Sequence, residues 1–71
     1  MEYIKVIVPD KEGQNIDVLI NGEKNGKVGE VLTIGEEGFV LLSVDLPGAE
    51  EKEVELVGTT PHHPKIVEIQ A

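Results

Sequence analysis

The sequence predicts an all-β domain, a small antiparallel sandwich or partly open barrel of five or six strands. Ten valines and seven isoleucines occur among the 71 residues, and β-branched residues favour strands. Apolar residues recur at every second position in several short runs, which is the period of a half-buried strand. Gly, Pro and Asn-Gly pairs separate these runs, as turns between strands require.

The first predicted strand covers residues 3–8. A turn follows at 9–13, because proline has no amide hydrogen to donate and glycine tolerates a positive φ. The second predicted strand covers residues 16–20. In the first strand Ile4, Val6 and Val8 are expected to share one face, with Tyr3, Lys5 and Ile7 on the other. In the second strand the residues expected to face inward are Ile16, Val18 and Ile20.

The Asn-Gly pair is the strongest short-range hairpin signal, and it occurs twice, at 21–22 and at 25–26. The chain is therefore expected to fold back here, with either pair forming the tight turn. A third strand is predicted over residues 28–34, where Gly29 suggests a bulge or an edge. Residues 35–38 are expected to form the next turn.

Residues 39–46 are the longest apolar run and predict a central strand, with Phe39 in the core. The segment 47–57 fits two structures. Pro47, the acids after it and Gly58 suit a helix, whereas the alternation of residues 52–57 favours a strand. The strand is the expectation here.

The end of the chain predicts a loop over residues 58–64 and a last strand over 65–69. The whole chain, residues 1–71, is expected to be one domain, since independent cores usually need at least about fifty residues. It contains no cysteine, so neither a disulfide nor a thiolate zinc site can support the core.

Fourteen acidic residues against six basic ones, all lysines, give a formal net charge of −8. Nucleic-acid binding depends on lysine and arginine neutralising phosphates, so this composition disfavours it. The same sign disfavours anionic membrane surfaces. No apolar run has the length of a signal-peptide core or a membrane span, so the cytoplasm is the expected location and no membrane insertion is expected.

His62 and His63 are the only histidines and the only candidate metal ligands, with Glu68 downstream. Both lie between Pro61 and Pro64. Adjacent residues of an extended segment point to opposite sides, so the two rings are poorly placed to share one ion. The sequence therefore predicts no metal site, and a solvated loop in its place.

No residue pattern predicts a catalytic or cofactor site. Ser43, the sole serine, lies in an apolar strand without a nucleophile elbow. The acidic pairs at 36–37 and 50–51, and Asp45, lack the spacing of a calcium loop. Three glycines interspersed with lysines fit neither phosphate-binding fingerprint and are expected in turns; they are Gly22, Gly26 and Gly29, with Lys24 and Lys27.

The order of signals from residue 16 to 57 resembles a PEGA domain, a small β-sandwich module. The matching segments are Val18-Leu19-Ile20-Asn21-Gly22, Lys27-Val28-Gly29, Glu37-Gly38-Phe39-Val40-Leu41-Leu42 and Pro47-Gly48. The sequence departs from that pattern at Glu30-Val31, at the extra Asn25-Gly26 and at Ala49. The resemblance implies a non-catalytic module, often attached to envelope or surface proteins, with no catalytic residues to transfer.

The leading functional prediction is a non-enzymatic β-module that binds a protein partner or a second copy of itself through a strand edge. Lys5, Lys52 and Lys65 are expected to guard such edges. The alternative is a carbohydrate-binding module with Tyr3 as its exposed aromatic residue. A third interpretation is a metal-binding protein that uses His62 and His63.

Overall fold

The computed structural model describes all 71 residues and contains seven strands and no helix. The strands are β1 (Glu2–Ile7), β2 (Asp17–Ile20), β3 (Glu23–Lys27), β4 (Val31–Ile34), β5 (Gly38–Val44), β6 (Lys52–Leu56) and β7 (Lys65–Glu68). The chain therefore has no helix long and apolar enough to cross a membrane.

The strands form two sheets, one in the order β4-β1-β7 and one in the order β3-β2-β5-β6. Four of the five strand pairs are antiparallel, whereas β1 and β7 pair in parallel. The all-β prediction is confirmed, and the two sheets make an open sandwich rather than a closed barrel. β1 lies in the middle of its sheet, and β5 lies inside the other one.

The core between the sheets is entirely aliphatic. Alternate residues of every strand except β3 enter it, as the period of two predicts. Its fifteen members are Ile4, Val6, Val8, Ile16, Val18, Ile20, Leu32, Ile34, Val40, Leu42, Val44, Val54, Leu56, Val67 and Ile69. Ile16, Val18 and Ile20, which were expected to face inward, are among them, and the shared face of Ile4, Val6 and Val8 is the buried face of β1.

Asn21-Gly22, rather than Asn25-Gly26, forms the tight turn. Asn21 and Gly22 have φ of 51° and 85°, the left-handed pair that a two-residue hairpin needs. The second pair lies inside β3, where the register with β2 shifts and Gly26 has φ of 83°. The pattern of this stretch predicts a turn, whereas residues 23–27 form an additional strand, which gives seven strands instead of five or six.

The predicted third strand began three residues too early. Residues 28–30 form a turn, and β4 starts at Val31. The amides of this turn satisfy carbonyls of both sheets. Val28 N donates to Ile16 O at 2.9 Å, and Gly29 N donates to Val6 O at 2.9 Å. These hydrogen bonds compete with strand pairing for the same backbone groups, which keeps residues 28–30 out of β4.

β5 is the interior strand that the sequence predicted, between β2 and β6. The prediction that Phe39 lies in the core is wrong. Val40, Leu42 and Val44 occupy the inward positions, so the alternation turns Phe39 and Leu41 outward.

The region that suited either a helix or a strand is a strand. Pro47 and Gly48 form a turn, and β6 follows with Val54 and Leu56 buried. Glu53 and Glu55 point to water on the opposite face, as the alternation predicted.

Lys5 does not guard an edge, because β1 has a strand on each side. The parallel addition of β7 made β1 central, and pairing between the two ends of a chain leaves no local signal in the sequence. Lys52 and Lys65 do lie on edge strands, β6 and β7. Their role as guards stays a prediction.

Thr59 joins the loop before β7 to the start of β1. Its hydroxyl donates to Glu2 Oε1 at 2.6 Å and accepts from Tyr3 N at 2.6 Å, while its amide donates to the same carboxylate at 3.1 Å. The hydrogen bonds from the Thr59 side chain and backbone lower the pKa of Glu2 below its ordinary 4.5.

Thr59→Val removes the hydroxyl and keeps the shape, so we expect a less stable protein at neutral pH. Because Glu2 is easier to deprotonate in the folded state, its contribution is present above its ordinary pKa and is lost as the pH falls through its folded pKa. The variant should therefore lose less stability than the wild type between pH 7 and pH 3, about the range over which carboxylates titrate. Urea unfolding at both pH values measures this. Thr33→Val, an exposed threonine of β4, is the control, and equal pH dependence of the two variants would refute the prediction.

Candidate functional site

The largest group of exposed apolar side chains lies on the outer face of the four-stranded sheet, where β5 pairs with β6. Phe39 is 61% exposed and Leu41 is 47% exposed, while Val57, directly after β6, is 71% exposed. Large exposed apolar residues that lie together mark interaction sites more often than isolated ones do. We name this region the β5–β6 surface and define it by Phe39, Leu41, Glu53, Glu55 and Val57.

Carboxylates alternate with the apolar side chains of the β5–β6 surface. Phe39 is paired with Glu55, and Leu41 is paired with Glu53. Directly opposed residues place their Cβ atoms about 4.5–5.5 Å apart, so each apolar group has a carboxylate as its neighbour. Neither glutamate takes part in any of the ion pairs of the structure.

Phe39 is exposed because β5 extends past β2. β6 pairs with β5 over residues 38–42, but β2 pairs only with residues 42–44. Asn21 then ends β2 by bonding both ways to Leu41: its amide donates to Leu41 O at 2.8 Å, and its Oδ1 accepts from Leu41 N at 2.9 Å. The hairpin turns away here, which leaves Phe39 with a neighbouring strand on one side only.

β6 is the edge strand of this sheet, and only its beginning is tied to the other sheet. Lys52 Nζ donates to Glu68 O at 2.6 Å, and just before β6 the amide of Glu50 donates to Gln70 O at 3.0 Å. Gln70 N donates to Glu50 Oε1 at 3.1 Å, and this bond lowers the pKa of Glu50. Over the remainder of β6, residues 53–56, the edge opposite β5 has no strand beside it.

At the opposite edge of the same sheet, Asp17 of β2 is paired with lysines of β3. Asp17 Oδ1 accepts from Lys27 Nζ at 2.7 Å, and Asp17 Oδ2 lies 3.5 Å from Lys24 Nζ. The Lys27 hydrogen bond, with the charges of both lysines, lowers the pKa of Asp17. Lys24 and Lys27, which lie between glycines in the sequence, therefore both form ion pairs with Asp17. Glu53 and Glu55 of β6 have no such lysine partner.

The outer face of the three-stranded sheet offers no comparable apolar group. Its exposed residues Val31 and Ile66, at 46% and 54%, are both paired with Lys5, which lies between them. A lysine therefore separates the two apolar side chains. Tyr3, the aromatic residue considered for sugar binding, is half-buried on this face.

The two histidines lie in a tight turn between Thr60 and His63. The amide of Thr60 donates to His63 O at 3.2 Å, and the amide of His63 donates to Thr60 O at 3.1 Å. Both imidazoles are exposed, and Glu68 lies on β7 with its Oε2 bonded to Gln70 Nε2. No group of three or more His, Asp or Glu side chains is arranged to hold a metal ion.

Of the other residues considered for chemistry, Ser43 contacts the backbone of Glu50, and no hydrogen bond joins their side chains. Ser43 is buried on the outer side of β5, and its hydroxyl donates to Glu50 O at 2.8 Å. Glu36 and Glu37 are exposed in the link between β4 and β5. Asp45 lies 4.0 Å from Lys24 Nζ.

One cleft of about 360 Å³ lies against β1, near the lower limit for small-molecule sites. Ile7 and Val28 are its main apolar groups, and Lys5 and Glu12 are its charged ones. The cleft contains none of the residues that the sequence singled out for catalysis or metal binding.

Sequence reasoning missed the β5–β6 surface because it placed Phe39 inside. The signal that was available is the run Val40-Leu41-Leu42-Ser43-Val44, in which Val40, Leu42 and Val44 share one face. The exposure of Leu41 and Phe39 follows once that face is the buried one. Comparison of the chain with protein-family models, curated proteins and solved structures found no match.

Proposed function

We propose that this protein is a non-catalytic β-module that binds another polypeptide through the β5–β6 surface. The observation that carries the proposal is the exposure of Phe39, Leu41 and Val57 together, beside an edge strand. Exposure of these apolar side chains to water is unfavourable, and covering them with a partner lowers the free energy.

The composition of the surface supports a protein partner. Binding energy at protein interfaces is concentrated in a few central side chains, with aromatic residues prominent among them, surrounded by polar groups. Phe39 has the central position, with Leu41 beside it and carboxylates around both. The edge of β6 adds unpaired backbone groups, which an extended peptide can use.

Two further observations support a non-catalytic role and a polypeptide, not a nucleic acid, as the partner. The only serine hydroxyl is bonded to a backbone carbonyl, and the histidines lie in an exposed turn away from it in the fold. A net charge of −8 without arginine argues against nucleic acid as the partner. The PEGA resemblance of residues 16–57 stays a prediction, and the non-catalytic module that it implies agrees with this proposal.

A displayed library of random twelve-residue peptides, selected on the immobilised protein, tests the proposal. We expect the selected peptides to bind saturably and to lose about tenfold or more in affinity on the variant Phe39→Ser/Leu41→Ser, because the central apolar contacts are gone. Isothermal titration of individual peptides measures the loss.

Val31→Ser/Ile66→Ser is the matched control, since it removes two side chains of similar exposure from the other sheet. The selected peptides should bind this variant nearly as well as the wild type. If the affinity of the peptides is unchanged by Phe39→Ser/Leu41→Ser, or falls equally in both variants, the binding surface lies elsewhere.

A carbohydrate-binding module is the second candidate, and the exposure of Phe39 is the observation that favours it. An aromatic face beside the Glu55 carboxylate offers a stacking surface and a hydrogen-bond acceptor for a sugar. Titration of isotope-labelled protein with mixed oligosaccharides would then shift the Phe39 and Glu55 amides. Shifts produced by peptides alone favour the polypeptide partner.

A further inference from the structure

We propose that the partner segment is an extended basic strand that adds to the free edge of β6, with lysine or arginine at alternate positions facing Glu53 and Glu55. This inference rests on the proposed function and specifies its partner. It depends on three features of β6. These are its open edge, its unpaired carboxylates, and the repulsion between glutamates that would arise if β6 paired with β6 of a second copy.

The open edge provides the backbone contacts. β6 has β5 on one side and no strand on the other, so the outward N–H and C=O groups of residues 53–56 have no strand partner. An extended peptide satisfies such groups by continuing the ladder. The opposite edge, β3, is less suitable, because the shift in its register with β2 interrupts a regular ladder.

The charge of the partner follows from the side chains beside that edge. Glu53 and Glu55 lie on the exposed face, two residues apart, and neither is neutralised within the protein. A strand added to β6 places its own alternate residues next to them, at a repeat of about 6.8 Å. Opposite charges at directly opposed positions stabilise a strand pair, so the fitting residues are basic.

The same geometry argues against a second copy of this chain at β6. A symmetric antiparallel pair centred on Val54 sets Glu53 opposite Glu55 twice. Centring it on Glu53 or on Glu55 sets that residue opposite itself. Like charges directly opposed are destabilising, and each copy also carries a net charge of −8. The edge therefore selects a different chain of opposite charge.

Synthetic heptapeptides test the proposal on the complete protein. The probe alternates lysine and valine. One comparison peptide alternates glutamate and valine, and another has the lysines and valines of the probe gathered into two blocks. We expect the probe to shift the amides of residues 52–56 saturably in heteronuclear spectra. The glutamate peptide should leave them unchanged, and the block peptide should bind about tenfold more weakly, because it cannot match the strand period.

Charge reversal separates a local site from general attraction. Glu53→Lys/Glu55→Lys should weaken the probe about tenfold or more, since two favourable pairs become repulsive. Glu12→Lys/Glu23→Lys changes the net charge equally at exposed positions outside β6, and should weaken the probe less than about threefold.

Several outcomes would overturn the proposal. They are equal binding of the block peptide, equal loss in the two reversal variants, shifts of the β6 amides on raising the protein concentration alone, and shifts produced only by oligosaccharides. Peptides selected from the random library that require Phe39 and Leu41 but are acidic would also overturn it. That last result leaves the proposed function standing, whereas peptides independent of both residues remove it.

Discussion

Leu42→Ala is expected to destabilise the protein by about 2–5 kcal/mol, because it leaves a cavity in a closely packed interior. Leu42 is completely buried in the middle of β5 and contributes to the single aliphatic core. A chain of this length has a total stability of about 4–11 kcal/mol, so the variant should unfold at a much lower urea concentration. Unfolding followed by far-ultraviolet circular dichroism measures the change.

Leu41→Ala is the matched control, one residue away on the same strand. The same atoms are removed from a side chain that is about half exposed, so the expected cost is less than about 1 kcal/mol. Equal destabilisation by the two variants would contradict the orientation of β5. It would also remove the exposed apolar group on which the proposed function depends.

Gly26→Ala is expected to cost about 2–5 kcal/mol, through two effects that add. Gly26 has φ of 83°, a conformation that costs residues with a Cβ about 1–2 kcal/mol. An added Cβ would also collide with Cδ2 of Leu32, which is buried on β4, and overpacking of this kind costs about 1–3 kcal/mol. Thermal and urea unfolding of the variant measure the sum.

Gly22→Ala separates the two effects. Its φ of 85° is nearly the same, but a Cβ there meets nothing within 4 Å. We therefore expect only the conformational cost, about 1–2 kcal/mol. If both variants lose the same stability, the contact between Gly26 and Leu32 does not constrain the packing of β3 against β4.

The alternation of apolar residues along the chain was sufficient to predict the fold class and many of the buried residues. Alternation in the segments that become β1, β2 and β6 gives the inward residues without further information, since only one of their faces is apolar enough to bury. Gly and Pro between the runs identified most of the turns. These are local properties of the chain, and local physics is sufficient to determine them.

Other features depend on contacts between distant parts of the chain and could be seen only in the folded structure. β5 is apolar on both faces, so only packing against the other sheet determines that Leu42 is buried and Phe39 exposed. Two Asn-Gly pairs offered the same turn, and only the pairing of residues 23–27 with β2 shows that the second of them lies in a strand. Pairing of β1 with β7 joins the two ends of the chain, and no neighbouring residues encode it. The candidate site depends on these long-range pairings, because a strand edge exists only after every other strand has found its neighbours.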